Sequence, residues 1–316
     1  MKKNSKIFVA GHKGLVGSAI FNELQKQGFN NIITRTRSEL DLLNGKKVHK
    51  FFLSENPEYV FLAAAKVGGI LANFEKPAEF IYENLQIQSN IIHAAYLYKV
   101  KKLLFLGSSC IYPKNCPQPI KEDYLLSGKL EETNEPYAIA KIAGIKMCQS
   151  YNRQYGTDFI AAMPTNLFGT NDNFDLKTSH VLPALIRKFS EAVKNSESKV
   201  EVWGSGKPRR EFLHVEDLAE AVIFLMNNFF PTAEQNLKGE MFVNVGSGTD
   251  VSIAELVDIV KEVSGFKGKV VWDRSKPDGT YQKLLDCSRI NKLGWKYKIE
   301  LKDGVKREFN NFVGNA

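Results

Sequence analysis

Cysteine is scarce in this 316-residue chain and is not arranged for disulfides or metals. The four cysteines are Cys110, Cys116, Cys148 and Cys287, with neither a Cys-x-x-Cys pair nor the density of a disulfide framework. No cluster of histidine, cysteine and acidic residues has the spacing of metal ligands. We therefore expect no metal, and a reducing cytoplasm is the expected location.

Long hydrophobic runs are also missing. No apolar stretch approaches the roughly 20 residues that cross a bilayer. The N-terminal run "KIFVAG" leads to His12 and Lys13 rather than to a small-residue cleavage site. The sequence thus predicts neither a membrane helix nor a signal peptide.

The basic charge is not concentrated in any one tract. The formal net charge is +8, but lysines and arginines are spread among the acidic residues. Nucleic-acid binding usually needs a basic stripe or patch. We expect no nucleic-acid partner, and a phosphate-bearing small molecule fits the charge equally well.

Short apolar strands alternate with helical segments through the first half of the chain. The predicted strands are "KIFVAG", "NIITRTR", "YVFLAAA", "KKLLFLGSS" and "FIAAMPTNLFG". This alternation predicts an α/β fold with a Rossmann-type, doubly wound parallel sheet. We expect residues 1–170 to form a dinucleotide-binding domain to which 211–246 return. Residues 171–316 would form a smaller α/β substrate domain over the carboxyl edge of the sheet.

A glycine-rich turn follows the first strand. "GHKGLVG" places Gly11, Gly14 and Gly17 between that strand and a helix. Glycines permit the tight turn and the close approach of a pyrophosphate, which the helix N-terminus attracts. A turn without a ligand is the alternative, but the strand before and the helix after favour a dinucleotide site.

The end of the second strand is basic. "TRTR" provides Arg35 and Arg37 where NAD enzymes of this fold usually carry an acid for the ribose 2′-hydroxyl. A guanidinium suits a 2′-phosphate, so NADP(H) is favoured, with Lys13 nearby in the glycine turn. Ordinary solvated charge is the alternative, for Arg35 in particular. Asp41 could reach the adenine.

A tyrosine and a lysine share one helical face. Tyr137 and Lys141 lie four residues apart in "NEPYAIAK". A nearby ammonium favours the phenolate, so such a tyrosine can exchange protons with a carbonyl. Ser108, at the end of the fourth strand, can bind the same carbonyl oxygen.

Further along, "VWGSGKPRREF" combines an aromatic residue, a glycine turn and arginines. Trp203 can pack on a sugar or base, and Arg210 can bind a diphosphate. A basic surface loop is the alternative.

With these motifs, the chain resembles the extended short-chain dehydrogenase/reductases, and within them the GDP-L-fucose synthase family. The resemblance is carried by "AGHKGLVGSAI", "AAAKVGGILAN", "KKLLFLGSSCIYPK", "TNEPYAIAKIAGIKMCQSYNRQYG", "VWGSGKPRREFLHVEDLA" and "SKPDGT". It implies NADPH-dependent 3,5-epimerisation and 4-reduction of GDP-4-keto-6-deoxy-D-mannose. It also implies a homodimer formed through two long helices; packing within one subunit is the less favoured alternative for their apolar faces.

The resemblance implies roles for individual residues. Tyr137 would protonate the reduced carbonyl with Lys141 and Ser108 as partners, while Cys110 and His180 would be the base and acid of the epimerisations. The other cofactor contacts would come from Gly11, His12, Lys13, Gly14, Leu15, Val16, Gly17, Arg37, Asp41, Leu42, Leu106, Gly107, Ser109, Pro164, Thr165, Asn166 and Leu167. The GDP-sugar contacts would come from Lys188, Trp203, Arg210 and Asp278.

Cys110 has a simpler interpretation as well. Free cysteines are most often small buried hydrophobes. A thiol with a pKa of about 8.5 and an imidazole with one of about 6.5 can, however, both exchange protons near neutral pH. The residues alone do not choose His180 over His214 as the imidazole; the family resemblance does.

Three other functions stay open at this point. The same chemistry could act on another GDP-4-keto-6-deoxy sugar, such as a heptose or the colitose precursor. The chain could carry out only part of the reaction. It could also be a non-catalytic nucleotide-binding regulator, although the intact set of Ser108, Tyr137 and Lys141 argues against that.

Overall fold

The computed structural model describes residues 1–176, 178–276 and 278–314. Its strands are β1 (Ile7–Ala10), β2 (Ile32–Ile33), β3 (Tyr59–Leu62), β4 (Lys102–Leu106), β5 (Phe159–Pro164), β6 (Asn166–Phe168), β7 (Lys199–Trp203), β8 (Arg209–His214), β9 (Phe242–Val245), β10 (Asp250–Ser252), β11 (Lys269–Asp273) and β12 (Gln282–Lys283). Its α-helices are α1 (Leu15–Lys26), α2 (Gly45–Glu55), α3 (Ile70–Glu75), α4 (Pro77–Leu97), α5 (Glu135–Tyr155), α6 (Val181–Lys194), α7 (Val215–Asn228), α8 (Ala233–Lys238), α9 (Ile253–Ser264), α10 (Ser288–Leu293) and α11 (Leu301–Gly314). Within these ranges, no helix is both long and apolar enough to cross a bilayer.

The main sheet is parallel and runs in the order β2-β1-β3-β4-β5-β9. Strands β1, β4, β5 and β9 are buried along their whole length, as expected for a sheet covered on both faces. The prediction of a doubly wound α/β fold is confirmed. β9 lies at the edge of this sheet beside β5, which brings residues 242–245 back to the N-terminal half.

Local signals in the sequence set the limits of the long helices. Pro77 begins α4, and Pro136 lies in the first turn of α5, where a missing backbone N–H costs nothing. α5 ends at Gly156, whose φ of +66° terminates a helix without a steric penalty. α4 and α5 lie side by side over the sheet.

The remaining strands and helices surround a second hydrophobic core. Strand β8 pairs with β6, β10 and β12, and β7 pairs with β11. Apolar residues of α6, α9 and α11 pack together there, among them Leu185, Phe189, Val257 and Val305. Residues near the C-terminus, including Ile290 and Trp295, pack instead into the core of the main sheet. The domain limits at 170 and 211–246 stay a prediction.

The strand register brings the candidate site residues to one edge. Ala10 pairs with Leu62, and Leu106 pairs with Ala162. The segments that follow β1, β3, β4 and β5 therefore all emerge at the carboxyl edge. The order reverses between β1 and β3, and ligands of open α/β sheets bind beside such a switch point.

Candidate active site

The glycine-rich turn after β1 leaves no room for a side chain at its first and last glycines. Gly11 has a φ of +89°, and a Cβ there would lie 2.7 Å from the backbone nitrogen of Ala64. A Cβ at Gly17 would lie 2.1 Å from the carbonyl oxygen of Gly11. The turn thus packs tightly against α1 and the end of β3, which is the geometry that a pyrophosphate-binding loop requires.

The other residues of this turn divide between surface and core. Lys13 and Gly14 are exposed where α1 begins, whereas Leu15 and Val16 pack against the core. The Nδ1 atom of His12 is buried without a hydrogen-bond partner among the described residues. The residues present fit a dinucleotide, because an open helix N-terminus and an unsatisfied polar atom lie beside the tight turn.

The two arginines after β2 have different surroundings. Arg35 Nη2 lies 2.6 Å from Glu55 Oε1, and the guanidinium also lies over the Phe51 ring. Arg37 is 73% exposed, and its Nη2 lies 3.9 Å from Glu83 Oε2. Arg35 already has a close carboxylate partner, so Arg37 is the better placed of the two for an added phosphate.

The loop that follows is ordered by short contacts. Asp41 Oδ1 accepts a hydrogen bond from the backbone nitrogen of Leu43 at 3.1 Å. The carbonyl of Leu42 accepts one from Asn90 Nδ2 at 2.8 Å. Asp41 and Leu42 therefore line a defined turn between β2 and α2.

The segments after β4 and β5 are held against each other and against β8. A Cβ at Gly107 would lie 2.2 Å from Met163 Sδ. The backbone between Leu106 and Ser109 therefore packs directly against β5 at Gly107. Thr165 Oγ1 and Asn166 Nδ2 donate to the carbonyl of Glu211 at 3.2 and 2.8 Å. Pro164 ends β5 and Leu167 lies in β6, so this predicted cofactor segment crosses from one sheet to the other.

Tyr137 and Lys141 lie one turn apart on α5, facing the end of β4. Lys141 Nζ donates to the carbonyl of Leu106 at 2.7 Å, and burial lowers the pKa of Lys141 to about 8. Burial also raises the pKa of Tyr137, the nearby Cys110 raises it further, and Ser108 opposes the shift. Desolvation and Cys110 both oppose ionisation of the phenol, so the expectation that the Lys141 ammonium favours the phenolate stays a prediction.

Cys110 lies in a single 3-10 turn, Ser109–Ile111, directly beside Ser108. The residue is 7% exposed, and its backbone nitrogen donates to Ser108 Oγ at 3.4 Å. Burial raises the pKa of the thiol, while the charges of Lys283 and Lys141 and the Ser108 hydroxyl oppose that shift. Cys110 is thus buried, but Ser108, Tyr137 and Lys141 all lie close enough for their charges or hydroxyls to interact with its thiol.

His180 is carried by a different element. It directly precedes α6 and is exposed to solvent, and desolvation by the surrounding protein lowers the pKa of its imidazole. No hydrogen bond between His180 and the other four candidate catalytic residues is seen in the described parts of the chain. The loop before it meets the segment after β3, where the nitrogen of Gly69 donates to the carbonyl of Thr178 at 3.2 Å. His214, the other candidate, is fully buried 3.3 Å from Glu308.

The predicted GDP-sugar residues form two adjacent groups. Lys188 Nζ lies 5.5 Å from the centroid of the Trp203 ring and donates to the carbonyl of Glu201. Asp278 accepts hydrogen bonds from the backbone nitrogen and hydroxyl of Ser205 at 2.8 and 2.6 Å. Burial lowers the pKa of the Arg210 guanidinium, and the nearby Asp278 opposes that shift.

Lys283 is a site neighbour that sequence reasoning missed. It pairs with Arg210 in the β12–β8 register, and its charge acts on the Cys110 thiol. Its ammonium forms no hydrogen bond or ion pair with any residue that the structure describes. The two-residue strand β12 has no periodicity to reveal it, so only the tertiary pairing identifies this lysine.

Comparisons with known proteins agree with this geometry. The NAD dependent epimerase/dehydratase family matches residues 7–246. GDP-L-fucose synthase 1 of Arabidopsis thaliana is 57% identical over 99% of this chain and 95% of its own length. GDP-L-fucose synthase of Escherichia coli is 54% identical over 98% of this chain and 97% of its own. The solved structure of a GDP-mannoheptose C4 reductase from Campylobacter jejuni with NADP bound is 45% identical, covers 99% of both chains and gives a TM-score of 0.89. The chain belongs to the NAD dependent epimerase/dehydratase family, alongside the GDP-L-fucose synthases.

Proposed function

We propose that the chain converts GDP-4-keto-6-deoxy-D-mannose to GDP-L-fucose by 3,5-epimerisation and NADPH-dependent 4-reduction. The observation that carries this proposal is the clustering of Ser108, Cys110, Tyr137 and Lys141 at the end of β4. The two GDP-L-fucose synthases described above match almost the whole chain at 57% and 54% identity, which supports the same chemistry here.

The reduction at carbon 4 relies on the phenol and the serine. Since burial raises the pKa of Tyr137, its hydroxyl stays protonated near neutral pH and can donate a proton to the alkoxide oxygen. Ser108 lies beside that hydroxyl and can hold the same oxygen. Lys141 is fixed by the Leu106 carbonyl and supplies positive charge near the phenol. The bound cofactor would supply the hydride.

The epimerisations rely on the thiol and the imidazole. A 4-keto group acidifies the hydrogens on carbons 3 and 5, because the resulting enolate places its charge on oxygen. Ser108 and Tyr137 would stabilise that oxyanion. Cys110 and His180 would remove and return the protons at these carbons. Lys283 and Lys141 favour the thiolate that removal requires.

NADP(H) is the cofactor in this proposal. The glycine turn would receive the pyrophosphate, and Arg37 would pair with the 2′-phosphate. The C. jejuni reductase whose structure carries NADP supports this choice. Arg35 has a smaller part, since Glu55 already pairs with it.

The GDP-sugar would be held at the edge of the second core. Arg210 and Lys188 would pair with the diphosphate, and the exposed Trp203 ring would pack on the sugar or base. Asp278 fixes the turn at Ser205 and would accept from a ligand hydroxyl with its remaining lone pairs.

A homodimer and a cytoplasmic location complete the proposal. Tyr96 of α4 stacks on Tyr155 of α5 at a centroid distance of 4.1 Å, and Tyr155 is still 47% exposed. Such a partly uncovered aromatic face supports an interface built from α4 and α5 of two subunits. All four cysteines are free thiols, which supports a reducing compartment.

A second candidate substrate is a GDP-4-keto heptose. It is favoured by the 45% identity to the C. jejuni GDP-mannoheptose C4 reductase over 99% of both chains. The chemistry at carbons 3, 4 and 5 would be unchanged, and only the space around carbon 6 would differ.

The test is NADPH oxidation with each of three keto sugars: GDP-4-keto-6-deoxy-D-mannose, the corresponding GDP-4-keto-mannoheptose, and the GDP-colitose precursor. We expect the highest kcat/KM with the deoxymannose compound. A higher value with the heptose would establish the second candidate. No oxidation with any of them would reject both and leave a nucleotide-binding regulator.

A further inference from the structure

We propose that the hydrogen bond between Tyr112 and Asn244 positions Cys110 for proton exchange, and that it serves the epimerisations more than the reduction. The inference rests on the proposed function, in which Cys110 works at carbons 3 and 5. It assigns positioning roles to two residues that do not take part in the chemistry themselves.

The turn that carries Cys110 is weakly held by its own backbone. Ile111 N donates to the carbonyl of Ser108 at 3.3 Å, and Tyr112 N donates to that of Ser109 at 3.5 Å. Both distances lie beyond the usual 2.9–3.0 Å of an N–H···O bond. By contrast, Ser108 is separated from a fully paired strand by Gly107 alone, and Tyr137 lies on a helix of 21 residues. The position of the sulfur therefore depends on contacts made outside the turn.

Tyr112 provides such a contact immediately after the turn. Its side chain is 2% exposed, and its hydroxyl donates to Asn244 Oδ1 at 2.5 Å. Asn244 lies on β9, at the edge of the main sheet, and is 0% exposed. The hydroxyl thus anchors the end of the cysteine turn to a rigid strand 132 residues further along the chain.

Asn244 cannot reorient without losing other bonds. Its Nδ2 donates to the carbonyls of Ile120 and Asp286 at 2.9 and 3.2 Å. Its backbone nitrogen donates to the buried Glu122 carboxylate at 3.0 Å. Both amide hydrogens and the amide oxygen are therefore in use. The residue fixes the chain after Cys110 at positions 112, 120 and 122.

The chain segment that follows Cys110 also holds the strand that carries Lys283. The nitrogen of Leu284 donates to Gln118 Oε1 at 2.8 Å, and that of Ile120 donates to the carbonyl of Leu284 at 2.7 Å. A shift of the segment 112–122 would move the thiol and the opposing ammonium relative to each other. No hydrogen bond among the described residues joins this network to Tyr137 or Lys141, which is why we expect the two half-reactions to respond differently.

The experiment compares Tyr112→Phe with a matched control, Tyr98→Phe. Tyr98→Phe also loses a hydroxyl hydrogen bond, to His49 Nδ1 at 2.8 Å, but Tyr98 lies between α4 and β4, at the amino edge of the sheet and away from the site. Each enzyme is given GDP-4-keto-6-deoxy-D-mannose and NADPH in D₂O. Mass spectrometry and NMR then give the fraction of 4-reduced product without deuterium at carbons 3 and 5. Only folded enzyme forms this product, so partial loss of folding lowers its amount but does not change the undeuterated fraction.

We expect the undeuterated fraction to rise at least tenfold in Tyr112→Phe and to stay at the wild-type value in Tyr98→Phe. Asn244→Asp, which keeps the acceptor for Tyr112 but loses both amide donors, should shift the ratio in the same direction. Iodoacetamide alkylation of the Cys110 peptide, without any substrate, should also change in rate in both variants.

A uniform fall in product with an unchanged ratio and an unchanged alkylation rate would overturn the inference and leave Tyr112 a purely structural residue. If the wild-type enzyme makes no product, the proposed function fails instead. The alkylation rates would still decide whether Tyr112 and Asn244 position the thiol.

Discussion

Lys141 Nζ lies 5.6 Å from the centroid of the Tyr137 ring and is held there by a 2.7 Å hydrogen bond to the carbonyl of Leu106. The lysine thus supplies charge beside the phenol without accepting its proton. Because the pKa of Tyr137 is raised by burial, the phenol is protonated when a ketone binds.

Removing that phenol tests its role as the proton donor. Tyr137→Phe should lower the rate of NADPH oxidation by about 10²- to 10⁴-fold, the usual contribution of a positioned acid. Solvent exchange at carbons 3 and 5 should persist at a reduced rate, since Ser108 can still hold the enolate oxygen. Stopped-flow absorbance and deuterium incorporation measure the two rates. Equal loss of both would show that the phenol is needed before the reduction step.

The two half-reactions should respond oppositely to pH. Burial raises the pKa of Cys110 above its ordinary value, so little thiolate is present near neutral pH and its fraction keeps increasing as the solution becomes more alkaline. The pKa of Lys141 is lowered to about 8, so its charge, and the support it gives the reduction, is lost as the pH rises through 8. Exchange at carbon 3 should therefore accelerate while single-turnover hydride transfer slows. Parallel pH profiles would contradict these assignments.

Lys283 should tune the thiol through its charge. Lys283→Met should raise the pKa of Cys110 by about one unit, the lower end of the effect of a nearby opposite charge. The pH dependence of iodoacetamide labelling, followed on the Cys110 peptide, measures that shift. Lys283→Arg keeps the charge and is the matched control. An unchanged midpoint of the labelling profile in Lys283→Met would show that Lys283 does not influence the pKa of Cys110.

The neighbouring arginines offer a paired test of cofactor choice. Loss of a charge-assisted hydrogen bond costs about 1.5–3 kcal/mol, so Arg37→Ala should raise the KM for NADPH by roughly ten- to a hundredfold. The KM for NADH should hardly change. Arg35→Ala, which breaks the pair with Glu55, should leave the NADPH/NADH preference intact. The reverse pattern would assign the 2′-phosphate to Arg35.

Much of this architecture could be predicted from local sequence. The apolar runs that became β1, β3, β4 and β5 are bounded by glycines or polar turns, and β1, β3 and β4 are each followed by a helix of sufficient length to cross over. The glycine turn and the spacing of Tyr137 and Lys141 are local patterns as well. Parallel pairing then brings all of them to one edge.

Features that depend on long-range packing could not be predicted in this way. The ion pair of Arg35 with Glu55, the position of Lys283 beside Arg210 and the buried bond from Tyr112 to Asn244 join residues distant in sequence. The pKa of Tyr137 also depends on how deeply the phenol is enclosed, and neighbouring residue types do not reveal that depth.

The most direct measurement is the NMR spectrum of the product formed in D₂O from GDP-4-keto-6-deoxy-D-mannose and NADPH, by the wild-type enzyme and by Cys110→Ser. The wild type should give GDP-L-fucose with deuterium at carbons 3 and 5, and Cys110→Ser should give a 4-reduced sugar without deuterium at either carbon. Deuterium at both carbons in the Cys110→Ser product, at the wild-type rate, would contradict the claim that this thiol exchanges protons beside the ketone.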